Sequence, residues 1–312
     1  MMRSRCERVL GVRKIAVLRA NALGDFIFAL PALEALRAAY PRAEIVLLAK
    51  KWHATFLEGR PGPVDRVVVV PPCEGVSEEP ATPSTRHSLE CSAELEQFFE
   101  AMAQERFDLA IQIHGGGRYS NPFLLRLGAR MNVGLKTRDA VPLDRWVSYI
   151  SYQPEILRYL EVVSLVGAAP IVLESRISVI EEDLLEAQSV VPESARPLVA
   201  LHPGAGDPQR RWPTEKFAAV GDALAAVGAQ IVVIGTTEEK QLVEAVVTNM
   251  KAGAQNLCGR LSLGGLAGLL SRCRVLISND SGPLHLAAAV GTATVGIYWC
   301  FKIGRASCRE RV

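Results

Sequence analysis

The strongest constraint on how this chain can fold is a repeated alternation: a short apolar run rich in β-branched residues, a polar loop, then apolar residues at helical spacing. Lys14 to Ala20 (KIAVLRA) is the first such run. Asn21 to Asp25 makes a polar turn after it, and Leu30, Leu33, Leu36 and Tyr40 then recur at helical spacing, with Pro31 expected near the first helical turn, where its missing N–H costs nothing. Ala43 to Ala49 and Val67 to Val70 read as further strands, as does Asp108 to His114 (DLAIQIH), which runs into Gly115, Gly116 and Gly117, where the chain can approach a neighbour closely. Pro71 to Cys91 shows no period and reads as an exposed loop or insertion. Leu157 to Val166 is an amphipathic helix, and Gly167 to Leu173 reads as the crossing between two domains.

The rhythm then restarts. Leu198 to His202, Gln230 to Ile234, a run opening at Asn256, Val275 to Ser278 and Thr294 to Tyr298 read as strands; Thr214 to Val227, Glu238 to Met250, Leu263 to Ser271 and Pro283 to Val290 read as helices between them. Apolar runs separated by helices belong to a parallel sheet covered on both faces. A length of 312 residues suits two domains. The expected fold is therefore α/β: two Rossmann-like, doubly wound units facing across a cleft, spanning 1–170 and 171–302. The closing Ile303 to Val312 (IGRASCRERV) reads like a translated sequencing adapter, so 303–312 is expected to be non-native and the natural C-terminus to be missing.

A formal net charge of +2 gives no basic excess for a nucleic-acid surface, so no nucleic-acid partner is expected. Seven scattered cysteines without a CxxC pair suggest neither a disulfide framework nor a zinc site. The first residues lack a signal-peptide core and no stretch reaches membrane-span length, so a cytoplasmic location is expected.

Three segments fall at strand C-terminal ends, where open parallel sheets bind ligands. In RANALGD, Gly24 is expected to permit an unusual backbone angle and Asp25 to present a carboxylate at a loop tip; taken alone, an Asp before a helix is more often an N-cap than a catalyst. HPGAGDPQRRWP supplies Gly204 and Gly206, which let backbone amides approach an anion, and Arg210 and Arg211, whose forks suit a diphosphate; a solvated basic turn is the competing reading. In NDSGPLHLAAAVGT, Pro283 marks a helix start, so Ser281, Gly282 and the following amides form an anion-binding helix N-terminus that His285 faces, with Asp280 as cap or ribose contact; the bland reading is a capped helix with a surface histidine.

LGD, HPGAG followed by RRWP and a helix, and NDSGPLHLAAAVGT, in this order over nearly the whole chain, resemble the heptosyltransferases, family nine of the glycosyltransferases. The resemblance implies a GT-B architecture, with an N-terminal acceptor domain and a C-terminal domain for the sugar nucleotide. It places Asp25 as the general base of an inverting transfer and gives Arg210, Ser281, Gly282 and His285 to the donor diphosphate. It gives Gly204, Glu238, Glu239 and Asp280 to the nucleotide. Arg210 stands where the family usually has lysine, which keeps the charge but changes its shape. Glu238 and Glu239 fit the family's ribose-contacting acid only in part, and each fits equally a helix N-terminal acid favoured by the macrodipole. No DxD pair is present, so no metal and no cofactor beyond a co-substrate, an ADP-linked nucleotide sugar, is expected; Arg210 and helix amides would stabilise the departing diphosphate.

The expected partners are a nucleotide sugar and a glycan or glycolipid acceptor of lipopolysaccharide type, with room for peripheral association at the cytoplasmic face of the inner membrane. The rival reading is a non-catalytic nucleotide-sugar-binding protein of the same fold. A Rossmann oxidoreductase is disfavoured because no GxGxxG follows the first strand.

Overall fold

The computed structural model describes residues 7–78 and 93–298. It divides into two compact units, Met1–Leu173 and Glu174–Val312.

Unit 1 holds strands β1 (Lys14–Leu18), β2 (Glu44–Ala49), β3 (Arg66–Val69), β4 (Leu109–Gln112), β5 (Met131–Lys136) and β6 (Arg145–Ser148). Its helices are α1 (Leu23–Ala39), α2 (Lys51–Leu57), α3 (Ala93–Gln104), α4 (Ser120–Leu125) and α5 (Glu155–Ser164). The strands pair in the order β3-β2-β1-β4-β5-β6, and every pairing is parallel. This is the order of a doubly wound sheet, with its switch point between β1 and β4. The central strands are apolar on both faces because helices cover both: β1 runs from Ile15 to Leu18 without an exposed residue, and β2 likewise from Ile45 to Ala49.

Helix α1 starts at Leu23 and so takes in the second half of the turn expected at Asn21 to Asp25. Gly24 therefore has a right-handed helical backbone, and Asp25 sits in the first turn rather than on a loop tip. Pro31 lies inside the helix, not in its opening turn. An interior proline costs about 3 kcal/mol. The helix continues through it because Phe26 to Leu33 and then Ala35 and Leu36 are all buried, a gain that outweighs the missing hydrogen bond.

The segment from Pro71 is not simply an exposed loop. Pro71 to Glu78 form a turn held by Ser77, whose Oγ donates to the Pro71 carbonyl at 2.6 Å and accepts from the Cys73 N–H at 2.8 Å. Val76 packs into the same core as Phe98, Phe99 and Phe123. The rest of that expected insertion, through Cys91, lies outside the described residues, as does the closing 303–312 segment.

Unit 2 holds α6 (Glu181–Val190), β7 (Leu198–His202), α7 (Thr214–Ala226), β8 (Gln230–Val233), α8 (Lys240–Asn249), β9 (Gln255–Asn256), α9 (Leu263–Arg272), β10 (Val275–Asn279), α10 (Gly282–Ala289) and β11 (Ala293–Ile297). Its sheet is parallel throughout, ordered β11-β10-β7-β8-β9. The switch point falls between β7 and β10, so the loops after these two strands share one edge.

Candidate functional site

In unit 1 the carboxyl ends of β1, β2 and β4 border a cavity of about 500 Å³. Asp25, Lys50, Trp52, His114 and Arg118 line it, with the backbone of Gly115 to Gly117. Gly117 is required there: its φ is +96°, and a Cβ would stand 2.7 Å from the Leu135 carbonyl oxygen.

Asp25 is placed by a residue that periodicity does not single out. Arg19, directly after β1, is 2% exposed. Its Nη1 donates to the Ile113 carbonyl at 2.6 Å, its Nε to the Asp25 carbonyl at 3.1 Å, and its Nη2 lies 3.1 Å from Asp25 Oδ1. Its guanidinium stacks 4.7 Å from the Tyr159 ring centroid, and Glu155 stands 4.0 Å from Nη2. Burial pulls the Arg19 pKa down, opposed by the charges of Asp25 and Glu155. An arginine stays protonated in such a setting, so a fixed cation sits behind the Asp25 carboxylate. Asp25 is not an N-cap: the cap position is Ala22, without a side-chain cap bond.

His114 lines the same cavity but is fully engaged. Its Nδ1 accepts from the Ala20 N–H at 3.2 Å, and it bonds the Gly75 backbone. Burial, then the charge of Arg19, push its pKa down to about 3, so it is a neutral latch between loops.

In unit 2 the sequence-derived residues gather around the ends of β7 and β10 as two adjoining clusters. In the first, Asp280 joins Arg210 to His285: Arg210 Nη1 lies 3.1 Å from Asp280 Oδ2, and His285 Nε2 lies 3.5 Å from Oδ1. The His285 hydrogen bond, with the charges of His285 and Arg210, holds the Asp280 pKa below the usual carboxylate range against the opposing effect of burial. Asp280 is thus a bridge, and His285, 7% exposed, is not a surface residue. Arg211 goes elsewhere, donating from Nε to the Ala205 carbonyl at 2.9 Å, so the two adjacent arginines take different partners.

The second cluster centres on His202. Its Nδ1 is 3.1 Å from the hydroxyls of both Ser278 and Ser281, and its Nε2 is 3.3 Å from Glu239 Oε2. Ser281 is the N-cap residue of α10 but makes no side-chain cap bond, so its hydroxyl belongs to this cluster. Gly282 opens the helix with its N–H at the same edge; Pro283 has none, and the Leu284 N–H donates to the Ser281 carbonyl at 3.2 Å. Glu239 also accepts the Thr236 N–H at 2.9 Å. The bonds from His202 and Thr236 hold its pKa low although burial, the largest single effect, raises it.

Gly204 has a different reason from the one its motif suggested: a Cβ there would collide with Glu239 Oε1, so the glycine makes room for that carboxylate. Glu238 is exposed and bonds the hydroxyls of Thr236 and Thr237 instead, so the two glutamates part. Helix α8 begins only at Lys240, after a short 3-10 turn over Thr237–Glu239.

Beside this cluster lies a cavity of about 370 Å³ walled by Ile234, Leu257, Leu261 and Leu263, with His202 and Thr236 at its polar side. Sequence reasoning passes over His202 and Asn279 as individual residues. Asn279 fastens both ends of the loop between β7 and α7: Nδ2 donates to the Pro203 carbonyl at 2.8 Å, and Oδ1 accepts the Trp212 N–H at 3.0 Å. Both residues sit last on apolar strands, and a polar side chain at that position is the signal that marks them. Among the described residues no group of three or more His, Cys, Asp or Glu side chains is placed to hold a metal ion.

The chain is 26% identical over 306 residues to lipopolysaccharide heptosyltransferase 2 of Escherichia coli K12, covering 91% of this chain and 82% of that protein. Among solved structures it is similar to a family 9 glycosyltransferase of Veillonella parvula, with a TM-score of 0.76, 24% identity and coverage of 91% and 80%. It is likewise similar to E. coli ADP-heptose lps heptosyltransferase II, with a TM-score of 0.73, 21% identity and coverage of 91% and 84%. The fold is GT-B, built from two Rossmann-like units. The profile of glycosyltransferase family 9 (heptosyltransferase) matches residues 95–302, two thirds of the chain. A transferase of sugars is the activity such a pair of parallel-sheet units serves here, and the chain belongs to glycosyltransferase family 9, the heptosyltransferases.

Proposed function

We propose that this protein moves a heptose from ADP-heptose onto a lipopolysaccharide-core or related glycan acceptor, with inversion at the anomeric carbon. The observation that carries the reading is the pair of adjoining clusters in unit 2. Arg210, Asp280 and His285 with the start of α10 suit a diphosphate, and Glu239 beside a 370 Å³ aliphatic-walled cavity suits a nucleoside. The related E. coli proteins support this choice of donor: one is an ADP-heptose transferase, and another, the heptosyltransferase WaaC, was solved with ADP-2-deoxy-2-fluoro heptose.

In this reading the acceptor occupies the unit 1 cavity, where Lys50 and Arg118 offer cations and Trp52 a flat face for a sugar. Asp25 takes the proton of the acceptor hydroxyl as that oxygen bonds to the anomeric carbon. The bond from that carbon to the diphosphate breaks, and ADP leaves with its electron pair. Arg210 and the Gly282 amide opening α10 offset the developing charge without a metal. Arg19 fixes the direction of the Asp25 carboxylate throughout.

Peripheral attachment at the cytoplasmic face of the inner membrane fits a surface on unit 1. No helix among the described residues is long and apolar enough to cross a membrane. Trp146 on the edge strand β6, Ile150 and Tyr152 are exposed, and Lys136 lies 6.0 Å from the Trp146 ring. Buried Arg158 pins the turn from beneath, donating to the carbonyls of Ile150 at 2.6 Å and Gln153 at 2.9 Å. Aromatic and aliphatic tips beside a cation suit an anionic lipid interface.

The test is release of ADP from ADP-heptose in the presence of a lipopolysaccharide-core acceptor, with Asp25→Ala beside the natural chain. Acceptor-dependent release lost in the variant supports the reading. ADP binding without any release would leave a nucleotide-sugar-binding protein of this fold.

A further inference from the structure

Arg19 and Arg158 bring two guanidinium groups into the interior of unit 1, 2% and 1% exposed. Two carboxylates answer them: Asp25, which lines the cavity, and Glu155, whose side chain is 10% exposed. Glu155 opens α5, where an acidic residue is ordinarily favoured by the helix dipole and by partners one turn on. It has such partners: Oε1 accepts from Arg158 Nη1 at 2.7 Å, and Oε2 accepts from the Tyr159 hydroxyl. Its carboxylate also reaches off its own helix, with Oε2 4.0 Å from Arg19 Nη2. That nitrogen is buried and lies 3.1 Å from Asp25 Oδ1, yet it is aligned for a hydrogen bond with neither carboxylate. The rest of the Arg19 guanidinium is committed: Nε to the Asp25 carbonyl, Nη1 to the Ile113 carbonyl, and its carbon over the Tyr159 ring. Nη2 is the part that two carboxylates share.

We propose that Glu155 is a positioning residue for sugar transfer: by sharing Arg19 with Asp25 and pairing Arg158, it leaves the Asp25 carboxylate oriented by a cation but not captured by one. The inference rests on the reading that Asp25 is the base. A general base has to be charged when the acceptor hydroxyl arrives and then yield that charge to a proton. A cation beside it secures the first and opposes the second, because an opposite charge favours the ionised form. With Glu155 in place, two cations meet two anions. With Glu155 neutral, Asp25 is the one carboxylate among the described residues left near the two buried guanidinium groups. Arg19 Nη2, no longer shared, then closes on Asp25 as an aligned, charge-assisted hydrogen bond. The base is drawn off the cavity and is less ready to take a proton. His53 and His114, neutral through burial, and Lys50 at the cavity wall cannot stand in for Glu155, since none of them carries a negative charge.

Steady-state transfer by the full chain, with ADP-heptose and a lipopolysaccharide-core acceptor varied in turn, tests this. Glu155→Gln keeps the shape of the side chain and an acceptor for Tyr159 while removing the charge. Its kcat is expected to fall about tenfold or more, with both KM values within about twofold of the natural chain. Glu155→Asp, which restores the charge, should recover part of that rate. Because Glu155 acts through Asp25, Glu155→Gln should cost nothing further in an Asp25→Asn background, where a residue that only supports the fold would cost as much as before. Thermal unfolding followed by circular dichroism establishes that each variant is folded at the assay temperature. Should Glu155→Gln not be, Glu155→Asp carries the same cycle with a smaller expected loss. A folded Glu155→Gln with the natural kcat, losses that multiply with those of Asp25→Asn, or a loss carried by KM would overturn the inference. No acceptor-dependent ADP release from the natural chain would instead sink the transfer reading beneath it.

Discussion

The two units use the same strand-end geometry for opposite electrostatic ends. In unit 1 a buried arginine stands behind a carboxylate that faces a cavity: Arg19 is 2% exposed, and the Asp25 side chain 38%. In unit 2 the carboxylates stand behind a cation and the start of α10: Asp280 is half-buried against Arg210 and His285, and Glu239 against His202. The contrast teaches that a parallel-sheet edge has no fixed polarity of its own. Which charge lies behind the strand end decides whether the edge presents a carboxylate or a cation.

The largest expected effect breaks the unit 1 half. Asp25→Asn, which keeps shape and removes the base, should lower kcat for transfer by about 10²–10⁴-fold, measured as ADP release with saturating donor. Arg210→Ala strikes the other half and should lower kcat/KM by about 10²–10³-fold. Arg210→Lys should recover part of that loss, because the charge remains while the bidentate fork is gone.

A pH titration of stability sharpens the contrast. His53 and His114 in unit 1 are both held neutral by burial, with pKa values pushed down to about 3 from an ordinary 6.5. Between those limits the unfolded chain binds protons that the folded one does not. Stability therefore falls as pH drops from about 6.5 toward 3, by roughly 1.4 kcal/mol per pH unit for each histidine. Hydrogen exchange across this range should show unit 1 opening first; unit 2 opening first would contradict the assignment of these two rings.

The smallest expected effect separates neighbours. Gly204→Ala, whose Cβ would collide with Glu239, should weaken ADP binding by roughly tenfold, at a cost on the order of 1–3 kcal/mol, while Glu238→Gln should leave it unchanged. Calorimetry with ADP distinguishes the two. An effect at Glu238 equal to that at Gly204 would reassign the ribose contact.

Much of this arrangement is legible in the residues and some is not, for physical reasons. Strands β7 and β10 are apolar runs that stop at HPG and NDSG, so the sheet and its ligand-bearing edge can be read directly. Strands β5 and β6 escape notice because Gly134 and polar ends interrupt their apolar pattern. Helix α6 escapes because acidic and polar residues outnumber its apolar ones and its packing relies on α9, where Gly268 leaves space for the Asp183 carbonyl that a Cβ would fill. Pro31 obeys a local preference for the first helical turn until burial of a whole helix overrides it. Arg19, Arg158 and His202 look like ordinary polar residues in sequence, since a buried charge is defined by distant partners: the Ile113 carbonyl for Arg19, the 150–153 turn for Arg158, Glu239 for His202.

The central claim is a division of labour, with proton transfer in one unit and donor binding in the other. ADP titrated into Asp25→Asn tests it most directly. The account predicts nucleotide affinity within about twofold of the natural chain from a protein that no longer transfers sugar, since uniform binding is untouched when only a transition-state group is removed. An Asp25→Asn protein that loses ADP affinity as fully as Arg210→Ala does, or that transfers at the natural rate, would contradict it.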